Sequence, residues 1–138
     1  MPELGSRHLI DNNVFVSATR SGVWTRSTDL LFHLLDGSYE LVGDDLLLFE
    51  YKKWAKILDV ISIWTYLERR VIVNNPIEGE LSQCAVFFPE SELADMIHAA
   101  CCLSTEAILI TNDRHFDRIK ENGLITVWNI VEAIKNLL

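Results

Sequence analysis

The chain has 138 residues, 49% of them apolar, which is enough for one domain with a proper core. Twenty acids against twelve lysines and arginines give a net charge of −8, which argues against a general polyanion binder. No apolar run reaches the length of a membrane span, Met1 to Arg7 lacks the pattern of a signal peptide, and Cys84, Cys101 and Cys102 show no CxxC spacing. The expectation is one soluble, cytoplasmic domain over residues 1–138, its thiols reduced and buried.

In chain order, Arg7 to Phe15 reads as a first strand, with Ser17 suited to cap a helix and Ala18 to Thr28 loop-like. Asp29 to Leu35 places Leu30, Leu31, Leu34 and Leu35 on one helical face, and Gly37 fits a left-handed cap. Tyr39 to Val42 is a short second strand. Asp44 or Asp45 can cap the next helix, about Leu46 to Leu58, and another follows over Ile61 to Arg70. Val71 to Val73 is a third strand, closed by Asn74-Asn75-Pro76. Ile77 to Glu80 reads as a loop. Pro89 fits the first turn of a helix over Glu90 to Leu103, which carries Asp95, His98 and Cys102 on one face. Its other face, with Leu93, Ile97, Ala100 and Cys101, should pack on the sheet. Ala107 to Thr111 is a fourth strand, His115 to Glu121 a short helix capped by Asn122-Gly123, Leu124 to Trp128 a fifth strand, and Ile130 to Leu137 a last helix capped by Asn129. Strands alternating with helices imply a parallel sheet with helices on both faces, an α/β fold.

Two strand ends carry the chemistry. Leu9-Ile10-Asp11-Asn12-Asn13 and Leu109-Ile110-Thr111-Asn112-Asp113 each run from apolar strand into acid and amide. Carboxylates there stand at the carboxyl edge of the sheet, where open α/β folds bind ligands. Glu50 and Asp95 lie in helical contexts between them. Several acids in one pocket raise each other's pKa unless a cation enters, and all-oxygen donors suit magnesium or manganese.

Four segments together resemble the motifs of PIN-domain nucleases: Asp11-Asn12-Asn13, Leu47-Leu48-Phe49-Glu50-Tyr51, Asp95-Met96-Ile97-His98-Ala99-Ala100, and Thr111-Asn112-Asp113-Arg114-His115-Phe116. The resemblance runs over nearly the whole chain. It implies a three-layer α/β/α sandwich on a five-stranded parallel sheet of order 3-2-1-4-5. It implies Mg²⁺- or Mn²⁺-dependent hydrolysis of single-stranded RNA, and for small members a toxin paired with an antitoxin protein, often as a homodimer. By position, Asp11, Glu50, Asp95 and Asp113 match the four acids. Asp11, Asp95 and Asp113 would hold the metal, with Glu50 a ligand or the orienter of the attacking water. Asn13 and Thr111 match the supporting polar residues. Asn12 departs from the usual Thr or Ser, and Asp44 and Asp45 stand where a Ser or Thr cap is usual, adding negative charge near the rim.

Other residues are weaker candidates. Arg20, Arg26, Arg114 and His115 are candidate substrate contacts, and Asp117 a candidate extra ligand that is more often a solvated helix acid. Lys52, Lys53, Lys56, Arg69 and Arg70 fit a solvated face better than a phosphate-binding rim. His98 fits a packed or hydrogen-bonded residue better than a ligand. Each acid also has a plain reading: Asp11 and Asp113 as caps, Glu50 paired with Lys53, Asp95 paired with Arg70. The main rival function is a PIN-like RNA- or protein-binding module with weak catalysis, which the acidic charge favours. A phosphotransfer fold needs a second Asp where Asn13 stands, and a dinucleotide fold needs a GxGxxG that is absent.

Overall fold

The structure, a computed structural model, describes residues 7–20 and 22–138. The absence of a signal sequence, read from the first residues, falls largely outside them. The described chain runs β1 (Arg7–Ile10), α1 (Asn12–Thr19), α2 (Arg26–Asp36), β2 (Glu40–Gly43), α3 (Asp45–Ile57), α4 (Ile61–Arg70), β3 (Val71–Val73), α5 (Glu78–Ala85), a 3-10 turn at Glu90–Glu92, α6 (Leu93–Thr105), β4 (Ile108–Ile110), a second 3-10 turn at Arg114–Phe116, α7 (Asp117–Asn122), β5 (Val127–Trp128) and α8 (Ile130–Leu137).

All five strands pair in parallel, in the order β3-β2-β1-β4-β5. In β1, Leu9 and Ile10 are both fully buried. Successive strand residues point to opposite faces, so both faces of the sheet are covered. This is the α/β sandwich and strand order expected. The core joins Leu9, Ile10, Leu41 and Leu109 of the sheet to Val14, Phe15, Leu30, Leu31, Leu34 and Leu47 of the helices. At about 25 cal/mol per Å² of apolar area, each fully buried Leu or Phe contributes roughly 1.5–3 kcal/mol. No described helix is long and apolar enough to cross a membrane.

β1 and β4 are neighbours in register, with Leu9 opposite Leu109 and Ile10 opposite Ile110. β2 leaves β1 on one side and β4 joins it on the other, so the sheet reverses its winding between β1 and β4. A crevice opens there at the carboxyl ends of the strands.

Six local expectations are corrected. The first strand stops at Ile10 rather than Phe15. Asp11 is extended (φ −63, ψ 149), caps α1 by accepting from Asn12 N, and the chain turns helical at once. Val14, Phe15 and Ala18 are buried at helical spacing. A short apolar run does not tell a strand from a buried helix turn. Ser17 lies inside α1, where its hydroxyl bonds Ser27, and Thr25 caps α2 with Thr28 as the reciprocal partner. Gly37 is extended (φ −83, ψ −175) rather than left-handed. It is glycine because a Cβ would lie 2.6–2.8 Å from the Tyr39 ring and the His33 carbonyl. The segment read as a loop at Ile77 to Glu80 opens α5, with the Glu80 carboxylate accepting from Ile77 N at 2.9 Å. Gly79 masks that start in the sequence. On α6, Ala100 and Cys101 face the core as expected, but Leu93 is exposed, and Pro89 precedes a 3-10 turn rather than sitting inside the helix.

Candidate metal centre

The carboxyl ends of β1 and β4 are stitched together by side chains. Thr111 is buried, and its hydroxyl donates to Asp11 Oδ2 at 2.7 Å. The Thr111 hydroxyl oxygen in turn accepts from Asn13 Nδ2 at 3.1 Å and from Asp113 N at 3.0 Å. Asn13 Nδ2 also reaches Asp11 Oδ2 at 3.2 Å, and its carbonyl accepts from Asn112 N at 3.3 Å. The backbone adds Asp11 N to Ile110 O at 2.9 Å. Thr111 is therefore a hub that holds Asp11, Asn13 and the approach to Asp113 in one arrangement. From behind, the Tyr51 hydroxyl of α3 donates to the Ile10 carbonyl, fixing the residue before Asp11.

Asp113 caps the 3-10 turn after β4, accepting from His115 N at 2.9 Å. His115 Nδ1 lies 2.8 Å from Asp95 Oδ2 and 3.3 Å from Asp113 Oδ1, so it spans the acids of α6 and of the turn after β4. Its Nε2 lies 3.4 Å from Glu92. Glu92, Asp95 and His115 offer ligand atoms within 4.8 Å of one another. Glu92 was missed in the sequence. It stands three residues before Asp95, a helical step that could have flagged it.

Glu50, one turn into α3, is held from the other side. His98 of α6 is 1% exposed, and its Nε2 lies 2.8 Å from Glu50 Oε1. Its Nδ1 lies 2.7 Å from Oδ2 of Asp44, also 1% exposed. Asp44 Oδ1 meanwhile accepts from Leu47 N at 2.8 Å as the cap of α3. Ionised carboxylates only accept, so both ring nitrogens carry protons and His98 is a buried imidazolium between two acids. The sequence marked Asp44 only as one of two candidate caps, and His98 as packed or hydrogen-bonded without naming its partners.

The titrations follow from this arrangement. Burial pushes the Asp11 carboxyl up to about 6, with the Asp95 charge adding and His98 and the Thr111 hydroxyl offsetting. Burial also raises Asp95, helped by Asp113 and opposed by the His115 hydrogen bond. For His98, burial acts downward, but its bonds to Asp44 and Glu50 and the nearby carboxylate charges outweigh it and push it up to about 10. His115 is raised by its bond to Asp95. A buried carboxyl held near 6 beside further acids is a donor set that gains from a divalent cation, and its oxygens are of the hard type that magnesium and manganese take.

The remaining candidates sort by position. A cleft of ≈ 280 Å³ adjoins the acids, lined by Thr111, Asn112, Asp113, Arg114, Asp117 and Lys120 among others. Arg114 is exposed there, 3.4 Å from Asp117. A larger hollow of ≈ 690 Å³ lies beside Trp24, Phe32 and His33, away from the strand ends, so volume does not mark this centre. Arg20 and Arg26 are exposed at the end of α1 and the start of α2. Arg70 bonds the Gly37 and Tyr39 carbonyls rather than Asp95, and Lys52 lies over the Trp64 ring at 5.7 Å. Cys84, Cys101 and Cys102 are buried free thiols.

Comparison with known proteins agrees with this architecture. A family model described as PIN domain matches residues 52–122. Among solved structures, the chain is similar to VapBC-1 from nontypeable Haemophilus influenzae, with a TM-score of 0.64 and 19% identity over 91% of this chain and 98% of that one. It is similar to VapBC2 from Rickettsia felis bound to a DNA fragment from their promoter, with a TM-score of 0.63 and 14% identity over 89% and 98%. It is also similar to FitAB bound to a DNA fragment, with a TM-score of 0.63 and 19% identity over 89% and 94%. No curated protein sequence matches it significantly.

Proposed function

The chain belongs to the PIN-domain family, and from that premise we propose that it is a divalent-metal-dependent endoribonuclease acting on single-stranded RNA, the toxin of a toxin–antitoxin pair. One observation carries the reading: Asp11 and Asp113 stand at the ends of adjacent strands, joined through Thr111, with Asp95 and Asp113 meeting at His115. Asp11, Asp95 and Asp113 would hold Mg²⁺ or Mn²⁺, with Glu50 as a further ligand or as the group that orients the attacking water. Bound there, the ion supplies Lewis-acid activation of water and stabilises charge on the phosphoryl oxygens.

The chain's own residues do the rest. Thr111 and Asn13 hold Asp11 in one rotamer, so the donor geometry is set before any ligand arrives. Glu50 keeps one oxygen on His98 and presents its carboxylate at the rim, where it can accept a hydrogen bond from water. Water adds to phosphorus, the ester oxygen leaves, and one proton passes from the water toward the leaving oxygen. Arg114 lines the adjoining cleft and His115 stands half-exposed beside Asp95, and both suit phosphate contacts. The net charge of −8 calls for such local cations, since it opposes the approach of a polyanion.

An antitoxin partner follows from the same family reading, supported by likeness to chains from VapBC and FitAB assemblies. Exposed apolar side chains at Val23, Trp24, Phe49 and Ile57 leave surface for a protein partner. The deciding experiment incubates the protein with single-stranded RNA and Mn²⁺, alongside Asp11→Asn and Asp113→Asn. Cleavage by the wild type and loss of at least about a hundredfold in both variants is expected, the scale of removing a group that stabilises transition-state charge. Wild-type rates in either variant remove these residues from the chemistry. RNA binding with no cleavage in any metal would favour a binding module, the reading the acidic charge supports.

A further inference from the structure

We infer that His98 is a positioning residue that fixes Glu50 of α3 against α6, and that Asp44 in turn fixes His98. The inference rests on the nuclease reading for its functional meaning, but the contact itself does not. Three bonds form a continuous line. Asp44 is anchored at the start of α3 by Leu47 N at 2.8 Å, His98 bridges 2.7 Å from Asp44, and Glu50 closes the line 2.8 Å from the far ring nitrogen. Glu50 belongs to α3, Asp44 caps its start, and the imidazole belongs to α6.

The line sets a distance that matters. Asp95 lies three residues before His98 on α6. The placement of Glu50 relative to Asp95 is thus fixed through one buried ring. With that ring in place the Glu50 side chain is 32% exposed, so solvent lies open beside it. Without the ring, rotamer entropy would turn it toward solvent. A ring bonded at both nitrogens has no freedom to follow it. Groups that orient a ligand in this way typically change metal affinity by about 10–100-fold when removed.

Two substitutions separate this role from simple packing. His98→Asn keeps an N–H donor at the position of Nδ1, so Asp44 stays paired, but it is too short to reach Glu50. His98→Gln reaches Glu50 from the position of Nε2 and leaves Asp44 without its partner. Packing alone ranks the Asn variant above the Gln variant, because an unpaired buried carboxylate is the larger defect. Positioning of Glu50 ranks them the other way. The full chain is titrated with Mn²⁺ alone, and thermal unfolding is recorded for each variant. The expected result is that His98→Gln binds Mn²⁺ about tenfold tighter than His98→Asn while melting lower. The double variant His98→Asn/Glu50→Gln should bind no more weakly than Glu50→Gln, because both act through one carboxylate. Affinities that follow the melting order, or losses that multiply in the double variant, overturn the inference. If His98→Gln does not fold, the double-variant cycle decides.

Should the wild type neither bind Mn²⁺ nor cut RNA, the nuclease reading falls and the contact is judged by NMR. Glu50→Gln should then shift the His98 Nε2–H resonance and leave Nδ1–H close to its place. A His98 ring indifferent to Glu50→Gln overturns the inference.

Discussion

Replacing Thr111 with valine tests the hub directly. The two side chains have nearly the same shape, so no cavity forms, and the change isolates the hydroxyl. That hydroxyl donates to Asp11 at 2.7 Å and accepts from Asn13 at 3.1 Å and Asp113 N at 3.0 Å. The bond to a charged acceptor is worth about 1.5–3 kcal/mol and each neutral one about 0.5–1.5 kcal/mol when its partner can turn to water. Asn13 and Asp113 lie near the rim and regain water, whereas Asp11 is only 6% exposed. The expected net loss is about 2–3 kcal/mol. With an unfolding entropy of about 2.1 cal/mol/K per residue, that lowers the Tm by roughly 7–10 °C. The assay is thermal unfolding in EDTA, so that bound ion does not compensate. Thr111→Ser is the control: it keeps the hydroxyl, loses one methyl, and should cost about 1 kcal/mol. Mn²⁺ affinity should drop in the valine variant and survive in the serine one. A valine variant melting within about 2 °C of the wild type would show that the hydroxyl holds nothing, and the preorganised site would go with it.

Gly37→Ala should lower stability by about 1–3 kcal/mol in denaturant unfolding, since the new methyl meets a ring and a carbonyl at 2.6–2.8 Å. An unchanged midpoint would mean that this loop adjusts freely. The thiols should be inert in the native state at pH 8: all three are buried, Cys84 is pushed up to about 11 and Cys101 to about 12, in each case chiefly by burial. Iodoacetamide with mass spectrometry should find no adduct until denaturant is added, and rapid native labelling would contradict the packing of α5 and α6. Lys120, and less strongly the Asn129 backbone N–H, hold the Glu132 carboxyl below its usual value. Its contribution is present above the unfolded pKa and fades as pH falls through the lowered folded one. The pair is more than a third exposed, so Glu132→Gln should cost under about 1 kcal/mol at pH 7 and nothing in strong acid. A cost that persists below pH 3 would assign it to the cap of α8 instead.

The sequence by itself determined the order of the strands' appearance and put Asp11 and Asp113 just beyond strand ends, though it passed over Glu92. Leu9-Ile10-Asp11 and Leu109-Ile110-Thr111 read as buried strands ending in polar turns, because strands covered on both faces read as unbroken apolar runs. The helices Ile61–Arg70 and Ile130–Leu137 were legible to the residue, the second through Asn129 and its reciprocal Glu132. Where local signals conflict, the sequence misled. Val14-Phe15 reads as strand but turns helical because Asp11 caps it, and Gly79 hides a helix stabilised by Glu80. What only the tertiary structure decided is who pairs with whom. Glu50 and Asp44 are 48 and 54 residues from His98, and no periodicity within one helix can reveal a bond between two. The same holds for His115, which meets Asp95 across twenty residues only because the turn after β4 folds over the start of α6. Spacing along a chain fixes which face a side chain takes, whereas its partner is fixed by which other face is packed against it.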